Sequence, residues 1–387
     1  MINNPPNQMN RLPMSPSVRP RSNNAIKITF AVIAALIALL LGLIVLFLIG
    51  FETGPVALMI GMVSAVLPVP VYLILVMWID RYESEPAWML ATAFLWGALV
   101  AVFFAFLINT ASGLAVILLT NDVNAGRAFG AVISAPIVEE ISKAVILFIF
   151  FFWKKDEFDG VIDGIVYAAM VGLGFAMTEN IQYYGKAVLQ SGSGGLTLVF
   201  IIRGALAPFA HPMFTSMTGM GLGIALHTRN VFLKFIAPVV GLLLAISMHS
   251  IWNGSAVLFG GPGFILMYVL IMIPAFAIMF VVIFLALRRE GRIIREHLTP
   301  DFQVGLFTQE EYIQLCTIRG RMGATYSAFS RGGLNHWQAR RQLNQTASEL
   351  AFHRNRLARG ISVEDARERE AEYRLALQEL LKRLRTS

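Results

Sequence analysis

Three charged side chains lie close together in an apolar stretch, the segment APIVEEISKAVILFIFFFW at 135–153. A charged residue at the centre of a spanning helix costs about 2.5 to 3.5 kcal/mol, so Glu139, Glu140 and Lys143 must pair, face a bundle interior or line a wet cavity. Glu139 and Lys143 are spaced for an ion pair on one helix face, whereas Glu140 points about 100° further round the helix. The spacing predicts that one carboxylate is held by Lys143 and that the other is free for acid-base chemistry.

Three later apolar segments also carry polar side chains, which are Glu179 and Asn180, then Arg203 and His211, then His249 and Asn253. Any one of them alone is more often a satisfied interior residue. The depth, counted from the cytoplasmic end of each segment, is roughly 21 Å for Glu139, 27 Å for Glu179 and 24 Å for both His211 and His249. This common depth indicates a single site. Glu179 and Arg203 also lie at similar distances from the outer ends of their segments, and we predict that they form an ion pair.

Prolines and glycines accompany these polar residues. Pro208 and Pro212 bracket His211, where the sequence leaves open either a helix break that opens a cavity or a simple kink or packing position. Gly172 and Gly174 are interpreted as positions of close helix packing. Because the polar layer lies outside the membrane midplane, we expect the site to be reached from the outer half of the membrane, near Pro208.

The elements that position these residues are predicted to be membrane-spanning helices. The chain has 387 residues, of which 56% are hydrophobic, and this composition is typical of a membrane protein. Apolar runs of about 18 residues or more predict an all-α, polytopic transmembrane helical bundle of about eight spans. The spans are expected at 28–50, 55–79, 87–109, 129–153, 161–184, 196–226, 233–259 and 264–287. The first run has no cleavage pattern after it and is interpreted as a retained anchor.

The positive charges predict the orientation. Lys and Arg concentrate in the N-terminal tail, the even-numbered loops and the final tail, which places both termini in the cytoplasm of a multi-pass protein, in what we expect to be a bacterial plasma membrane. The net charge of +7 follows from this topology and does not indicate nucleic-acid binding. The single cysteine, Cys316, excludes a disulfide or a thiolate metal cluster within one chain.

Three regions follow from the composition: a disordered cytoplasmic tail at 1–27, a transmembrane domain at 28–288 and a cytoplasmic helical tail at 289–387. In the last region, Thr308 and Ser362 are predicted helix caps because Glu311 and Asp365 follow three residues later. The amphipathic pattern beyond them is typical of a helical hairpin or a membrane-surface anchor, and a regulatory or partner-binding module is the alternative.

The motifs, taken in order, resemble the PrsW family of intramembrane proteases over about residues 28–290. The matching residues are DRYESEP at 80–86, Glu139-Glu140-x-x-Lys143, Asp163-Gly164, Glu179-Asn180 with Tyr183, His211, and His249-x-x-x-Asn253. One departure is Thr178, which stands before Glu179 where the family often has Phe. The resemblance implies an intramembrane endopeptidase in the lipid bilayer that cuts a membrane-protein substrate, with site-1 cleavage of an anti-sigma factor as the example.

The resemblance also implies roles for the residues. Glu139 or Glu140 would activate water, and Lys143 would hold the acidic pair in register. By analogy with the related CAAX-processing and bacteriocin-processing enzymes, His211 would orient the water, and His249 with Asn253 would donate to the oxyanion. Glu179, Asn180 and Arg203 would support the site.

Alternative functions remain open at this stage. Zinc held by Glu139, Glu140, His211 and His249 is one alternative, but no His-Glu-x-x-His motif is present, so a metal-free site without a cofactor is favoured. A proton- or cation-coupled transporter or a membrane scaffold is the other. A transporter usually has two similar halves, whereas the polar residues of this chain concentrate in spans four to seven. A serine hydrolase is not indicated, because the sequence has no Gly-x-Ser-x-Gly turn. The sequence indicates no oligomeric state.

Overall fold

A computed structural model describes residues 24–154, 157–158, 160–360 and 365–385. Within these ranges the chain forms fourteen α-helices and four short π-helical segments, with no strand, and the all-α prediction is confirmed. The α-helices are α1 Asn24–Thr53, α2 Pro55–Val66, α3 Val69–Ile79, α4 Ala87–Leu95, α5 Val102–Thr120, α6 Val123–Phe129, α7 Ala135–Trp153, α8 Val161–Phe200, α9 Ala210–His227, α10 Val231–Met267, α11 Ile273–Gln303, α12 Gln309–Cys316, α13 Ile318–Ala358 and α14 Ala366–Arg385. The π-helical segments are Trp96–Ala101, Gly130–Ser134, Ile201–Leu206 and Tyr268–Met272.

Five helical segments of the described chain are long and apolar enough to cross a membrane. They are Ile28–Thr53, Pro55–Ile79, Ala87–Thr120, Val161–His227 and Val231–Gln303. The two longest are interrupted at Gly192 (φ 59°, ψ −147°) and Gly260 (φ 64°, ψ −162°), a backbone conformation that only glycine adopts easily. Both interruptions lie between predicted spans. The chain is therefore a membrane helical bundle, and the number of eight crossings stays a prediction.

Small residues let α8 and α9 pack with their backbones almost in contact. A Cβ on Gly172 would lie 2.6 Å from the backbone nitrogen of Pro212, and a Cβ on Gly164 would lie 2.1 Å from the carbonyl oxygen of Gly219. The pairing of 164 with 219 and of 172 with 212 shows that the two helices run antiparallel. The predicted packing role of Gly172 is confirmed, because this contact sets His211 against the middle of α8.

Irregular helical segments adjoin the polar residues of the bundle. The π-helical turn Gly130–Ser134 leads directly into α7, where Pro136 lacks the N–H that a regular turn would use. The chain leaves helical geometry at 207–209, and α9 then begins at Ala210, so the helix break, one of the two alternatives for Pro208, is confirmed. The interruption places His211 in the first turn of α9.

The loop after α3 is fixed to α8 by buried acids. The backbone N–H of Glu85 donates to Asp80 Oδ2 at 2.8 Å, and the Tyr167 hydroxyl on α8 donates to the Glu85 carboxylate. Burial, together with the nearby Asp163 carboxylate, raises the pKa values of Asp80 and Glu85 well above their usual range. These contacts explain why acids occupy the DRYESEP segment.

The C-terminal region is helical and packs on this loop. The predicted boundary at 288 falls inside α11, which continues without interruption to Gln303. The predicted cap of α12 is confirmed, since Thr308 Oγ1 accepts from the N–H of Glu311 at 3.2 Å and Glu311 Oε2 accepts from the N–H of Thr308 at 2.8 Å. Arg356 pairs with Glu83 at 3.2 Å. The predicted cap Ser362 and residues 1–23 of the predicted disordered tail lie outside the described residues, whereas 24–27 belong to α1.

Candidate active site

A fully buried lysine lies at the centre of the polar layer. Lys143 Nζ is 2.8 Å from Glu140 Oε1, 3.5 Å from Glu139 Oε2 and 3.1 Å from His211 Nδ1. It also lies 3.9 Å from the ring centroid of Phe175 on α8. The predicted pair of Glu139 with Lys143 exists, but the shorter contact is with Glu140. Helical spacing alone did not predict the closer contact with Glu140, because both i,i+3 and i,i+4 positions are within reach of a lysine.

The two adjacent glutamates have different surroundings. Glu140 has a fully buried side chain; Oε1 also lies 3.0 Å from His249 Nδ1, and Oε2 accepts from the Thr215 hydroxyl at 2.9 Å. Among the described residues, the polar contacts of Glu139 are longer, 3.5 Å to Lys143 and 3.8 Å to His249 Nε2. Glu140 is therefore the carboxylate that is tied down, and Glu139 is the one with room to accept a new partner.

The predicted ion pair between Glu179 and Arg203 is confirmed. Arg203 Nη2 lies 2.5 Å from Glu179 Oε2, and Arg203 Nε donates to Asn180 Oδ1 at 2.6 Å. His211 Nε2 lies 2.9 Å from the same oxygen of Glu179. Since the other ring nitrogen of His211 faces Lys143, this histidine links the two groups of charges into one network across α7, α8 and α9.

The two residues predicted on α10 make different contacts. The His249 ring stacks on Phe214, with centroids 5.2 Å apart and planes 23° from parallel, and it contacts both glutamates. The Asn253 amide instead donates to the carbonyl of Ala131 at 2.9 Å, in the π-helical turn before α7. Asn253 thus fixes the approach to α7, and its described contact is directed away from the glutamates.

A cavity of about 540 Å³ reaches Glu139 from the side of the bundle. Its wall includes Glu139, Glu179, Phe175 and polar residues from α5, α6 and α8, which are Asn109, Thr110, Arg127 and Gln182, and its apolar part includes Val45 and Ile49 of α1. No residue of the broken segment around Pro208 belongs to this wall. The wall of this cavity is formed by residues of α1, α5, α6, α7 and α8, and access to the site near Pro208 stays a prediction.

Several residues of the site were missed in the sequence. Thr215 holds Glu140, and it could have been recognised because it lies four residues after His211 on one face of α9. Asn109 lines the cavity, and its Oδ1 accepts from Ser134 Oγ at 2.8 Å. Nothing in the sequence distinguishes Asn109 from other polar residues of spanning helices, because its relevance arises from the packing of α5 on the turn before α7.

The donor atoms of Glu139, His211 and His249 all lie within 4.8 Å of one another, and all three side chains are buried. Two imidazoles and one carboxylate suit zinc in type and number, with a further position for water. Glu140, the fourth member of the predicted zinc set, directs its oxygens to Lys143, His249 and Thr215. The Lys143 ammonium lies among these donors, so a positive charge is already present where a metal would be held.

Comparison with known proteins gives a consistent result. Residues 85–279 of this chain match the PrsW family of intramembrane metalloproteases. The chain belongs to the PrsW family of intramembrane proteases. The matched range contains every residue of the polar network and begins at the Glu85 that anchors the loop after α3. Family membership favours the protease interpretation over the transporter and scaffold alternatives.

Individual relatives support the assignment to the PrsW family. Protease PrsW of Geobacillus kaustophilus is 33% identical over 164 residues, which are 41% of this chain and 66% of the relative. Protease PrsW of Bacillus subtilis is 31% identical over 177 residues, 46% of this chain and 71% of the relative. That of Oceanobacillus iheyensis is 28% identical over 201 residues, 50% and 82%. No solved structure matches the chain.

Proposed function

We propose that this chain hydrolyses a peptide bond of a membrane protein with Glu139 as the general base. The observation that carries the proposal is the contrast between the two glutamates: Glu139 lines the cavity, whereas Glu140 is held by Lys143, His249 and Thr215. A general base must reach the proton that it takes, either directly or through one water. Of the two glutamates, Glu139 is the one in the wall of the cavity, which supports its assignment as the base.

One proton of the attacking water moves twice during the reaction. Glu139 accepts it as the water oxygen attacks the peptide carbonyl, and the protonated Glu139 then gives it to the leaving amine. Lys143 keeps a positive charge 3.5 Å from Glu139, which stabilises the carboxylate in an apolar region. His249 contacts both glutamates and fixes their orientation.

The oxyanion requires a donor that faces the same cavity. Asn109 lines it, and because its Oδ1 accepts from Ser134, its amide N–H groups are directed elsewhere. We assign this role to Asn109, whereas Asn253 is assigned to positioning because its amide donates to Ala131. One donor of this kind contributes about 10²- to 10³-fold in kcat.

A metal-dependent mechanism is the second candidate. Zinc held by Glu139, His211 and His249 would lower the pKa of a bound water and polarise the substrate carbonyl. The position of Lys143 Nζ, 3.1 Å from His211 Nδ1 and 3.5 Å from Glu139, favours the metal-free mechanism, because an ammonium and a divalent cation would repel each other among the same donors.

The substrate is proposed from the cavity and from the family. Apolar residues of α1 and α5 form part of the cavity wall, so the cavity suits a segment of a membrane protein that lies in or beside the bilayer. Following the family resemblance, site-1 cleavage of an anti-sigma factor near its extracytoplasmic end is proposed, in a plasma-membrane protein with both termini in the cytoplasm.

A proteomic comparison tests the proposal. Membranes from cells with the wild-type chain are compared with membranes from cells with Glu139→Gln, and fragments of at least one membrane protein should disappear in the variant. Glu368→Gln, an exposed substitution of the same type on α14, is the matched control and should leave the fragments unchanged. Identical fragments in wild type and Glu139→Gln would show that Glu139 is not the base.

A further inference from the structure

The helix α13 is an antiparallel hairpin. Its backbone is interrupted at Gly332 and Gly333, where φ is −138° and 62°. Across the hairpin, Arg321 Nη2 donates to Ser348 Oγ at 2.7 Å, and Asn344 donates to Thr325 Oγ1 at 3.2 Å. The hairpin exposes large apolar side chains, which are Met322, Tyr326, Phe329 and Leu334. A hairpin in contact with water alone would not gain from these exposed groups.

A groove separates this hairpin from the end of α3. It has a volume of about 1340 Å³ and combines Met77 and Trp78 of α3 with Tyr326, Phe329 and Leu334 of the hairpin. Met77 and Trp78 directly precede Ile79, the last residue of a segment that is apolar enough to cross a membrane. The groove therefore lies at the level where the bilayer meets water.

Two arginine–tryptophan pairs line the groove, one on each wall. The guanidinium carbon of Arg81 lies 3.3 Å from the ring centroid of Trp78, and that of Arg341 lies 4.8 Å from the ring centroid of Trp337. Arg321 is a third cation of the wall. Tryptophan is enriched at membrane interfaces, and basic residues there attract anionic headgroups.

Asp80 and Asn344 also belong to the wall of the groove, with 5% and 9% of their surface exposed. Asp80 Oδ1 and Asn344 Oδ1 are buried below that surface and have no hydrogen-bond partner among the described residues. Because burial raises the pKa of Asp80, this acid opposes an anionic ligand little.

We propose that this groove binds one anionic phospholipid from the adjoining leaflet. The phosphate lies between Arg81 and Arg341. The acyl chains lie along the exposed apolar residues of α3 and the hairpin. The lipid thereby joins the C-terminal helices to the membrane and to the loop after α3. The inference is independent of the proposed catalytic mechanism.

Native mass spectrometry of the full-length, delipidated chain in detergent tests the proposal. One phosphatidylglycerol should bind at least about tenfold more tightly than phosphatidylcholine, since each basic residue near an anionic surface contributes about a fivefold factor. Phosphatidic acid, which is also anionic, should likewise bind more tightly than phosphatidylcholine. Equal retention of all three lipids would overturn the proposal.

Matched arginine variants locate the site. Arg81→Gln combined with Arg341→Gln should lower phosphatidylglycerol binding about 30-fold, as two such charges are removed. Arg319→Gln combined with Arg331→Gln removes the same charge from exposed positions outside the groove and should change binding less than about twofold. Equal losses in the two double variants would show nonspecific attraction. Arg341→Gln alone, at an exposed position, gives the test if the first double variant unfolds, and a binding loss below twofold would then refute the site.

A soluble headgroup separates a lipid site from a simple anion site. Glycerol 3-phosphate at millimolar concentration should leave phosphatidylglycerol bound, because the acyl chains contribute apolar contacts along α3 and the hairpin. Displacement of the lipid by glycerol 3-phosphate would mean that the groove recognises a small phosphate and would overturn the assignment to a membrane lipid.

Discussion

Two charged networks in this molecule differ mainly in their surroundings. In the bundle, Lys143 and Glu140 are fully buried, and their partners come from α7, α9 and α10. In the C-terminal region, Arg354 joins Asp301 of α11 to Glu370 of α14, and 33% of the Glu370 side chain remains exposed. If Arg354 is lost, water can reach Glu370, and Asp301, although only 1% exposed, keeps Arg374 at 3.0 Å as a second partner. Water cannot reach Glu140 in the first network. An ion pair is therefore essential in the buried network of the bundle and adjustable in the partly exposed network of the C-terminal region.

The largest loss is expected for Lys143→Met. The substitution leaves Glu139 and Glu140 beside each other without their shared cation, and breaking a buried pair in this way costs about 3 to 5 kcal/mol. Thermal unfolding in detergent measures this loss of stability. Adding Glu140→Gln should recover part of the loss, because one unpaired charge is removed. A Lys143→Met chain as stable as wild type would contradict the central role of this lysine.

Arg203→Met and Glu179→Gln test the second half of the buried network. Each single variant should lose roughly 3 kcal/mol, and the double variant should lose clearly less than the sum, because the two side chains are in direct contact. A double-mutant cycle from unfolding in detergent gives the coupling. Additive losses would mean that the contact contributes nothing to stability.

A smaller effect is expected in the C-terminal network. Arg354→Met removes charged hydrogen bonds to Asp301 and Glu370 and should cost about 1.5 to 3 kcal/mol. Arg385→Met is the control, since Arg385 pairs with Glu311 but is 45% exposed, and it should cost below about 1 kcal/mol. If Arg354→Met cost as much as Lys143→Met, the contrast between the two regions would be wrong.

The smallest effect concerns pH. The pKa of Asp80 is raised in the folded chain by burial and by Asp163, so the folded state binds the proton more tightly than the unfolded state does. The contribution of Asp80 to the free energy of unfolding is fully present below its unfolded-state pKa of about 3.9. It decreases as pH rises towards and through its pKa in the folded chain. Asp80→Asn should therefore gain in Tm relative to wild type as pH rises from 5 to 8. A constant difference across this range would show that Asp80 does not titrate differently in the folded state.

Much of the fold could be predicted from the sequence because hydrophobic runs, turn residues and helix caps act locally. The breaks at Pro208 and the cap at Thr308 are examples. The polar residues could be assigned to one layer because charge in hydrocarbon is costly wherever it occurs. The choice between Glu139 and Glu140 could not be predicted, since it depends on Thr215 and His249, which reach Glu140 through packing of α9 and α10. The cavity likewise depends on how α1 and α5 meet, and no local pattern encodes that contact.

Cleavage by a metal-depleted enzyme tests the central claim most directly. The measurement is the single-turnover rate, in detergent, for a membrane substrate identified from the fragments that Glu139→Gln eliminates, with wild type and variant washed in chelator and their zinc content determined. The account predicts that zinc-free wild type retains its rate and that Glu139→Gln is slower by about 10²- to 10⁴-fold, the contribution of a general base. A wild-type rate that is lost with zinc and restored by adding it would contradict the metal-free mechanism, and an unchanged rate in Glu139→Gln would contradict the base.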